Sequence, residues 1–108
     1  MEVAVSAEKF NSLLEIALYD KDPLAWRAAW VLDGGDEQSP GLAAGSVSMI
    51  VHRLPEIKSK GTIRSLLRLL CRYEIGEENQ GILIDLCFKY LVSELYPVAV
   101  KVHAMQII

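Results

Sequence analysis

The chain has 108 residues, of which 52% are hydrophobic and 23% are charged, a composition typical of one packed globular domain. Its formal net charge of -3 argues against a general attraction to nucleic acid or to an anionic membrane. No apolar run approaches the roughly 20 residues of a membrane helix. Residues 1–10 also lack the basic and apolar regions of a signal peptide, so we expect a cytoplasmic protein.

Apolar residues recur three and four positions apart along most of the chain, which is the spacing of helices that bury one stripe. The pattern predicts six helices, near residues 7–20, 23–33, 40–54, 62–74, 78–94 and 97–108. Ser6 is the expected cap of the first helix. The pair Gly34-Gly35 is expected to end the second helix, and Ser39-Pro40 to begin the third. We expect the third helix to be the weakest, because it contains two glycines that each cost about 1 kcal/mol relative to alanine.

Three segments of the chain share one pattern, in which an apolar residue and a basic residue are followed by two variable residues and another apolar residue. The segments are Trp26–Trp30, Ile63–Leu67 and Val100–Ala104. Their basic residues, Arg27, Arg64 and Lys101, are 37 positions apart both times. Such a period indicates stacked repeats, here three helix pairs near 1–37, 38–74 and 75–108. A stack of this kind can continue into further units of a longer solenoid.

The sequence from Asp20 to Gly34 reads DKDPLAWRAAWVLDG, and six residues of the third unit repeat its order of acid, proline, basic and apolar positions. Those six are Glu94, Pro97, Val100, Lys101, Ala104 and Ile107. This pattern resembles the HEAT repeat family, including the HEAT-like repeats of phycobilin lyases and DNA alkylation repair proteins. The middle unit departs from it, with Ile57 and Lys60 in place of the acid and the proline. The resemblance implies an all-α, right-handed α-α superhelix whose second helices line a concave surface.

Arg64, Arg68 and Arg72 recur every four residues and therefore form one basic stripe on the fourth helix. The resemblance implies that this stripe lies on the concave surface beside Arg27 and Lys101. We interpret these five residues as candidate binding residues. The competing interpretation is a solvated helix face in which Arg64 binds an acidic residue of a neighbouring unit.

Trp26 and Trp30 are four residues apart and could form an aromatic platform for a base or a cationic ligand. Their equivalents in the other two units are the apolar residues Ile63, Leu67, Val100 and Ala104. Because those positions have the pattern of a core, we expect both tryptophans to be buried at the end of the stack.

The last helix is apolar around most of its circumference and leads into Met105-Gln106-Ile107-Ile108. The end unit of a stack needs a polar outer surface to remain soluble. We therefore expect this helix to be covered, either by further residues or by a second copy, with Ile107 and Ile108 as contacts of a symmetric homodimer.

The leading functional hypothesis is a non-enzymatic scaffold that binds a protein partner through its concave second-helix face. Nucleic acid bound by the basic stripe is the alternative. A repair glycosylase is a third hypothesis, for which Asp33 next to Trp30 is the one candidate pairing. A lyase is more remote: residues 45–55 resemble the signature loop of the fumarase and adenylosuccinate lyase superfamily but lack the proline after its methionine. The two cysteines and two histidines match no metal-ligand spacing, so we expect no metal or cofactor.

Overall fold

The computed structural model describes residues 7–107, and within that range every regular element is helical. The α-helices are α1 (Ala7–Tyr19), α2 (Leu24–Gln38), α3 (Val47–Arg53), α4 (Lys60–Leu70), α5 (Glu77–Val92) and α6 (Val98–Ile107). Short 3-10 turns precede and follow α3, at Ala44–Ser46 and Leu54–Glu56. The predicted all-α class is confirmed, whereas the predicted cap Ser6 lies outside the described residues.

The six helices form two layers. The second helix of each pair lies in one layer, where α4 packs between α2 and α6. In the other layer α3 packs against α5, and α1 and α5 pack against their own partners α2 and α6. Apolar side chains from both layers join in one continuous core. This arrangement is consistent with the predicted α-α repeat, whereas the bounds of the three units and the right-handed superhelical sense stay predictions.

The repeat period correctly predicts which residues of α4 and α6 are buried. Ile63 and Leu67 of α4 and their equivalents Val100 and Ala104 of α6 are all inaccessible to solvent. Each pair is four residues apart, so both residues lie on one face of the helix that meets the core. The sequence pattern therefore identifies these four core positions of the second helices, whereas on α5 the residues equivalent to the buried Leu14 and Leu18 are Phe88 and Val92, which are exposed.

The second helix does not end at Gly34-Gly35, as predicted, but continues to Gln38. Glycine inside a helix costs about 1 kcal/mol relative to alanine, so something outside the helix must hold this last turn. The extra turn carries Asp36 and Glu37, whose side chains bind Arg72, just past the end of α4, and Arg68 of α4. These contacts between helices outweigh the low helix propensity of the two glycines.

The third helix starts at Val47, seven residues after the predicted start at Pro40. Gly41 has φ +93°, a left-handed conformation that interrupts a helix. The backbone N–H of Ala43, which is buried, donates to Asp36 Oδ1 at 3.0 Å and to the Tyr73 hydroxyl oxygen at 3.1 Å. The segment is therefore held as a loop against α2, and the helix forms only beyond it.

The turn between α3 and α4 lacks the acid and proline of the other units but has a cap of its own. Ser59 Oγ accepts hydrogen bonds from the backbone N–H of Thr62 at 3.3 Å and from its hydroxyl at 3.0 Å. A serine at this position satisfies one of the unpaired N–H groups at the start of a helix. Ser59 therefore starts α4 at Lys60, two residues before the predicted position.

Candidate functional site

Arg68 of α4 and Arg72, two residues past the end of that helix and not inside it as predicted, bind carboxylates of α2. The Arg68 guanidinium donates from Nη1 to Asp33 Oδ2 at 2.8 Å and from Nη2 to Glu37 Oε2 at 2.6 Å. Arg72 donates from Nε to Asp36 Oδ2 at 2.9 Å and from Nη2 to the carboxylate and the backbone carbonyl of Asp33. These five side chains form a network that joins the first two units.

The carboxylates at the centre of this network are buried, with the Asp33 side chain 6% exposed and the Asp36 side chain 1% exposed. The hydrogen bonds to Asp33 and Glu37 raise the pKa of Arg68 above its ordinary value. Burial lowers the pKa of Arg72, but its bonds to Asp36 and Asp33 outweigh that effect, and the net shift is upward. Three carboxylates face two guanidiniums here, so the network carries one negative charge in excess.

The predicted basic stripe is therefore divided between two environments. Arg68 and Arg72 bind acids of the neighbouring unit, a role that we expected for Arg64 instead. Within residues 7–107, neither Arg64 nor Lys101 has an ion-pair partner, and both side chains are partly exposed. The Arg27 guanidinium lies 5.6 Å from the centre of the Trp26 ring. Whether these five residues contact a ligand stays a prediction.

The expected burial of the two tryptophans is wrong. Trp30 is 61% exposed and Trp26 is 38% exposed. One unit later α6 packs on α4, and Leu67, the equivalent of Trp30, is buried. Just past the end of α4, the exposed Cys71 has its Sγ 3.7 Å from the His103 carbonyl oxygen and 3.6 Å from Gln106 Oε1. The repeat equivalent of Cys71 is Gly34, where no atom lies within 4 Å of an added Cβ. In the first unit, the second unit contacts α2 through the carboxylates of α2. The side of α2 that carries Trp30 therefore stays open.

The open side of α2 forms a shallow groove of about 390 Å³, which we call the Trp30 groove. It is lined by Trp30, Val31, Asp33, Gly34, Gly35, Glu37, Gln38 and Arg68. One wall is apolar and the other carries the exposed part of the ion-pair network. Sequence reasoning missed this groove, although one signal was available: Asp33, Asp36 and Glu37 lie on one side of a helix, with charge complementary to the basic stripe.

Each of the two histidines contacts a side-chain amide. His52 Nε2 lies 3.0 Å from Asn79 Oδ1, and His103 Nδ1 lies 3.2 Å from Gln106 Oε1. Asp33, the candidate acid of a glycosylase, has its carboxylate bound by two arginines. In the part of the chain that the structure describes, no three His, Cys, Asp or Glu side chains are grouped closely enough to hold a metal ion.

The helix pairs, their two layers and the period of the buried residues together identify the family. A family model described as HEAT repeat domain matches residues 1–108. The chain belongs to the HEAT repeat family. No curated protein and no solved structure matches it. HEAT repeats are helical scaffolds that present extended surfaces, commonly to protein partners, and none of the helices within residues 7–107 has the length and apolar character needed to span a membrane.

The apolar end of this HEAT repeat chain differs in detail from the expected homodimer contact. Ile107 is partly buried and packs against the core of its own chain, and Ile108 lies outside the described residues. The exposed apolar residues of α6 are Val98, Val102 and Met105. Their spacings of four and three residues place them on one stripe, opposite the buried side of the helix.

Proposed function

We propose that this HEAT repeat chain is a non-enzymatic scaffold that binds a protein segment on its second-helix face, the outer surface of α2, α4 and α6. The observation that carries the proposal is the exposure of Trp30 beside a groove on α2. Tryptophan is enriched among the residues that dominate binding energy at protein interfaces.

The charges on the second-helix face favour a protein partner over nucleic acid. Phosphate binding by the stripe would have to compete with three carboxylates for Arg68 and Arg72. Arg64 and Lys101 have no such competitors among the described residues. The surface therefore offers the cations of Arg64 and Lys101 together with the exposed Trp30 indole. This combination matches the mixed polar and aromatic character of a protein interface better than it matches a phosphate-binding surface.

Quantitative affinity enrichment with wild-type and variant baits tests the proposal. Proteins that bind the second-helix face should be lost from the Trp30→Ala bait and retained by Phe88→Ala. Phe88 is a matched control because it is 51% exposed and lies on α5, in the other layer. If the same proteins are recovered by both variants, the binding face is elsewhere.

A duplex-binding titration at low salt separates the nucleic-acid alternative. We expect no binding by the wild-type chain. Duplex binding that weakens steeply with added salt would indicate phosphate contacts, because each neutralised phosphate releases counterions. If Arg64→Glu also abolished that binding, the chain would be a nucleic-acid scaffold and not a protein scaffold. Arg64 is the residue to change because its side chain makes no ion pair in the described part of the fold.

We also propose that the apolar stripe of α6, formed by Val98, Val102 and Met105, pairs with a second copy of the chain. Contact through one self-complementary patch gives a symmetric dimer. Sedimentation equilibrium should find a dimer for the wild-type chain and a monomer for Val102→Glu. Met49→Glu, at an exposed apolar residue of α3, should leave the dimer intact. A wild-type monomer at high concentration would exclude the pairing.

A further inference from the structure

We infer that the Trp30 groove recognises a basic residue, lysine or arginine, within the bound protein segment. The aliphatic part of that residue would lie on the Trp30 ring above Gly34, with its charged group beside Glu37. This inference rests on the proposed function, which it makes more specific by naming the chemistry of the partner.

The first support is that no cation among the described residues lies over the Trp30 indole. Three other exposed or partly exposed aromatic rings are each covered by one. Arg27 lies 5.6 Å from the ring centre of Trp26, Arg53 lies 4.4 Å from that of Tyr19, and Lys60 lies 5.6 Å from that of Tyr96. Within residues 7–107, no cation is found over Trp30, which is more exposed than Trp26 or Tyr19. Tryptophan is the aromatic side chain that attracts cations most strongly.

The second support is the sign of the charge beside the ring. Asp33, Asp36 and Glu37 outnumber the two arginines that bind them. Glu37 is the accessible member of the three, with 54% of its side chain exposed. Glu37 accepts from Arg68 through Oε2, and the network beside the groove keeps an excess of one negative charge, which complements a cation and repels a carboxylate.

The third support is the floor of the groove. Gly34 lies inside α2, has no positive φ, and an added Cβ there would meet nothing within 4 Å. The fold itself therefore gains nothing from glycine at this position, and alanine would favour the helix. Open space alone is not informative, because Gly81 of α5 has it too. At Gly34, however, the space lies directly between Trp30 and Glu37, where a long side chain can approach the backbone.

The repeat itself provides a partial precedent for occupation of this position. One unit later the residue equivalent to Gly34 is Cys71, which is exposed but has its Sγ 3.7 Å from the His103 carbonyl oxygen and 3.6 Å from Gln106 Oε1, both on α6. The residue equivalent to Trp30 is Leu67, which is fully buried there. A partner segment on the Trp30 groove would occupy the position that α6 occupies on α4.

Selection from an unbiased library of short linear peptides tests the inference. The wild-type chain is the target. Peptides that also bind the Trp30→Ala variant are discarded, because they do not use the groove. We expect the remaining peptides to be enriched in lysine or arginine. Their affinity should fall by at least about tenfold in Gly34→Leu, which fills the floor, and by about threefold in Glu37→Gln, which removes the exposed charge. Gly81→Leu, at an open glycine of α5, should bind as the wild type does.

The outcomes distinguish this inference from the proposed function. Peptides that depend on Trp30 but are enriched in acidic or uncharged residues, or that bind Glu37→Gln more tightly, would overturn the basic-residue inference and leave the scaffold standing. If no peptide depends on Trp30, both fail. Circular dichroism and a thermal melt of each variant ensure that a lost interaction is not a lost fold.

Discussion

The Arg68 guanidinium donates to the Asp33 carboxylate over 2.8 Å, a contact that joins the second helix of one HEAT unit to that of the next. The same carboxylate also accepts from Arg72. From the sequence alone, the periodic arginines form a candidate ligand-binding stripe. Two of the three, Arg68 and Arg72, instead help to hold the second unit against α2. The open face of α2 lies immediately beside this network.

Arg72→Met should destabilise the fold strongly. The substitution keeps the length of the side chain but removes the cation from Asp33 and Asp36, whose carboxylates are buried. Breaking a buried pair on one side typically costs about 3–5 kcal/mol, and urea unfolding measures it. Arg64→Met is the control and should change the free energy of unfolding by no more than about 0.5 kcal/mol. Equal effects of the two substitutions would mean that the network does not hold the units together.

Trp30→Ala should be tolerated, despite the large side chain that it removes. The ring is mostly in solvent, so we expect the free energy of unfolding to fall by less than about 1 kcal/mol. Leu67→Ala, at the equivalent residue of the next unit, removes a fully buried side chain and should cost about 2–5 kcal/mol. Thermal melts of both variants compare them directly. If the Trp30→Ala variant is unfolded, the repeat-based prediction that Trp30 is buried would be correct.

Gly34→Ala should stabilise the fold by up to about 1 kcal/mol, since it places a better helix former inside α2 without a clash. Gly41→Ala should act in the opposite direction. Gly41 has φ +93°, and alanine at such a conformation is strained. Chemical denaturation of the two variants measures whether each substitution raises or lowers the free energy of unfolding. A loss of stability in Gly34→Ala would indicate that the fold itself, and not a ligand, requires this glycine.

Stability should decline at alkaline pH because of Cys87. Burial raises the pKa of its thiol to about 12, whereas an unfolded cysteine has a pKa of about 8.5. The folded state therefore holds the proton more tightly. The stabilisation that the protonated Cys87 thiol provides is fully present below a pH of about 8.5. It is lost as the pH rises toward 12, by up to about 1.4 kcal/mol per pH unit. Urea unfolding across this range should show a shallower decline for Cys87→Ala, and identical slopes would contradict the assignment.

The sequence predicts part of this fold because its apolar spacing reports which face of α4 and of α6 is buried. It fails where contacts between helices override local preference. Gly34 and Gly35 are poor helix residues, yet α2 passes through them because Asp36 and Glu37 reach Arg72 and Arg68 of the second unit. Local propensity is a weak guide wherever tertiary contacts of this kind act.

The groove could not be predicted from the repeat for a related reason. Repeat equivalence assigns to Trp30 the environment of Leu67, but burial depends on how the next second helix packs. In the second unit α6 approaches Cys71, and in the first unit α4 approaches Asp33 instead. The period specifies which residues are equivalent, whereas the packing between neighbouring helices decides which of them is exposed.

Mapping of amide chemical shifts tests the central claim, that a protein segment binds on the second-helix face at Trp30. The measurement uses isotope-labelled chain titrated with a partner segment recovered by the wild-type bait. We expect the shift changes to cluster on α2 from Trp30 to Gln38 and on α4 near Arg68. Changes confined to α5, around Phe88, with no response at Trp30 or Gly34, would contradict this account.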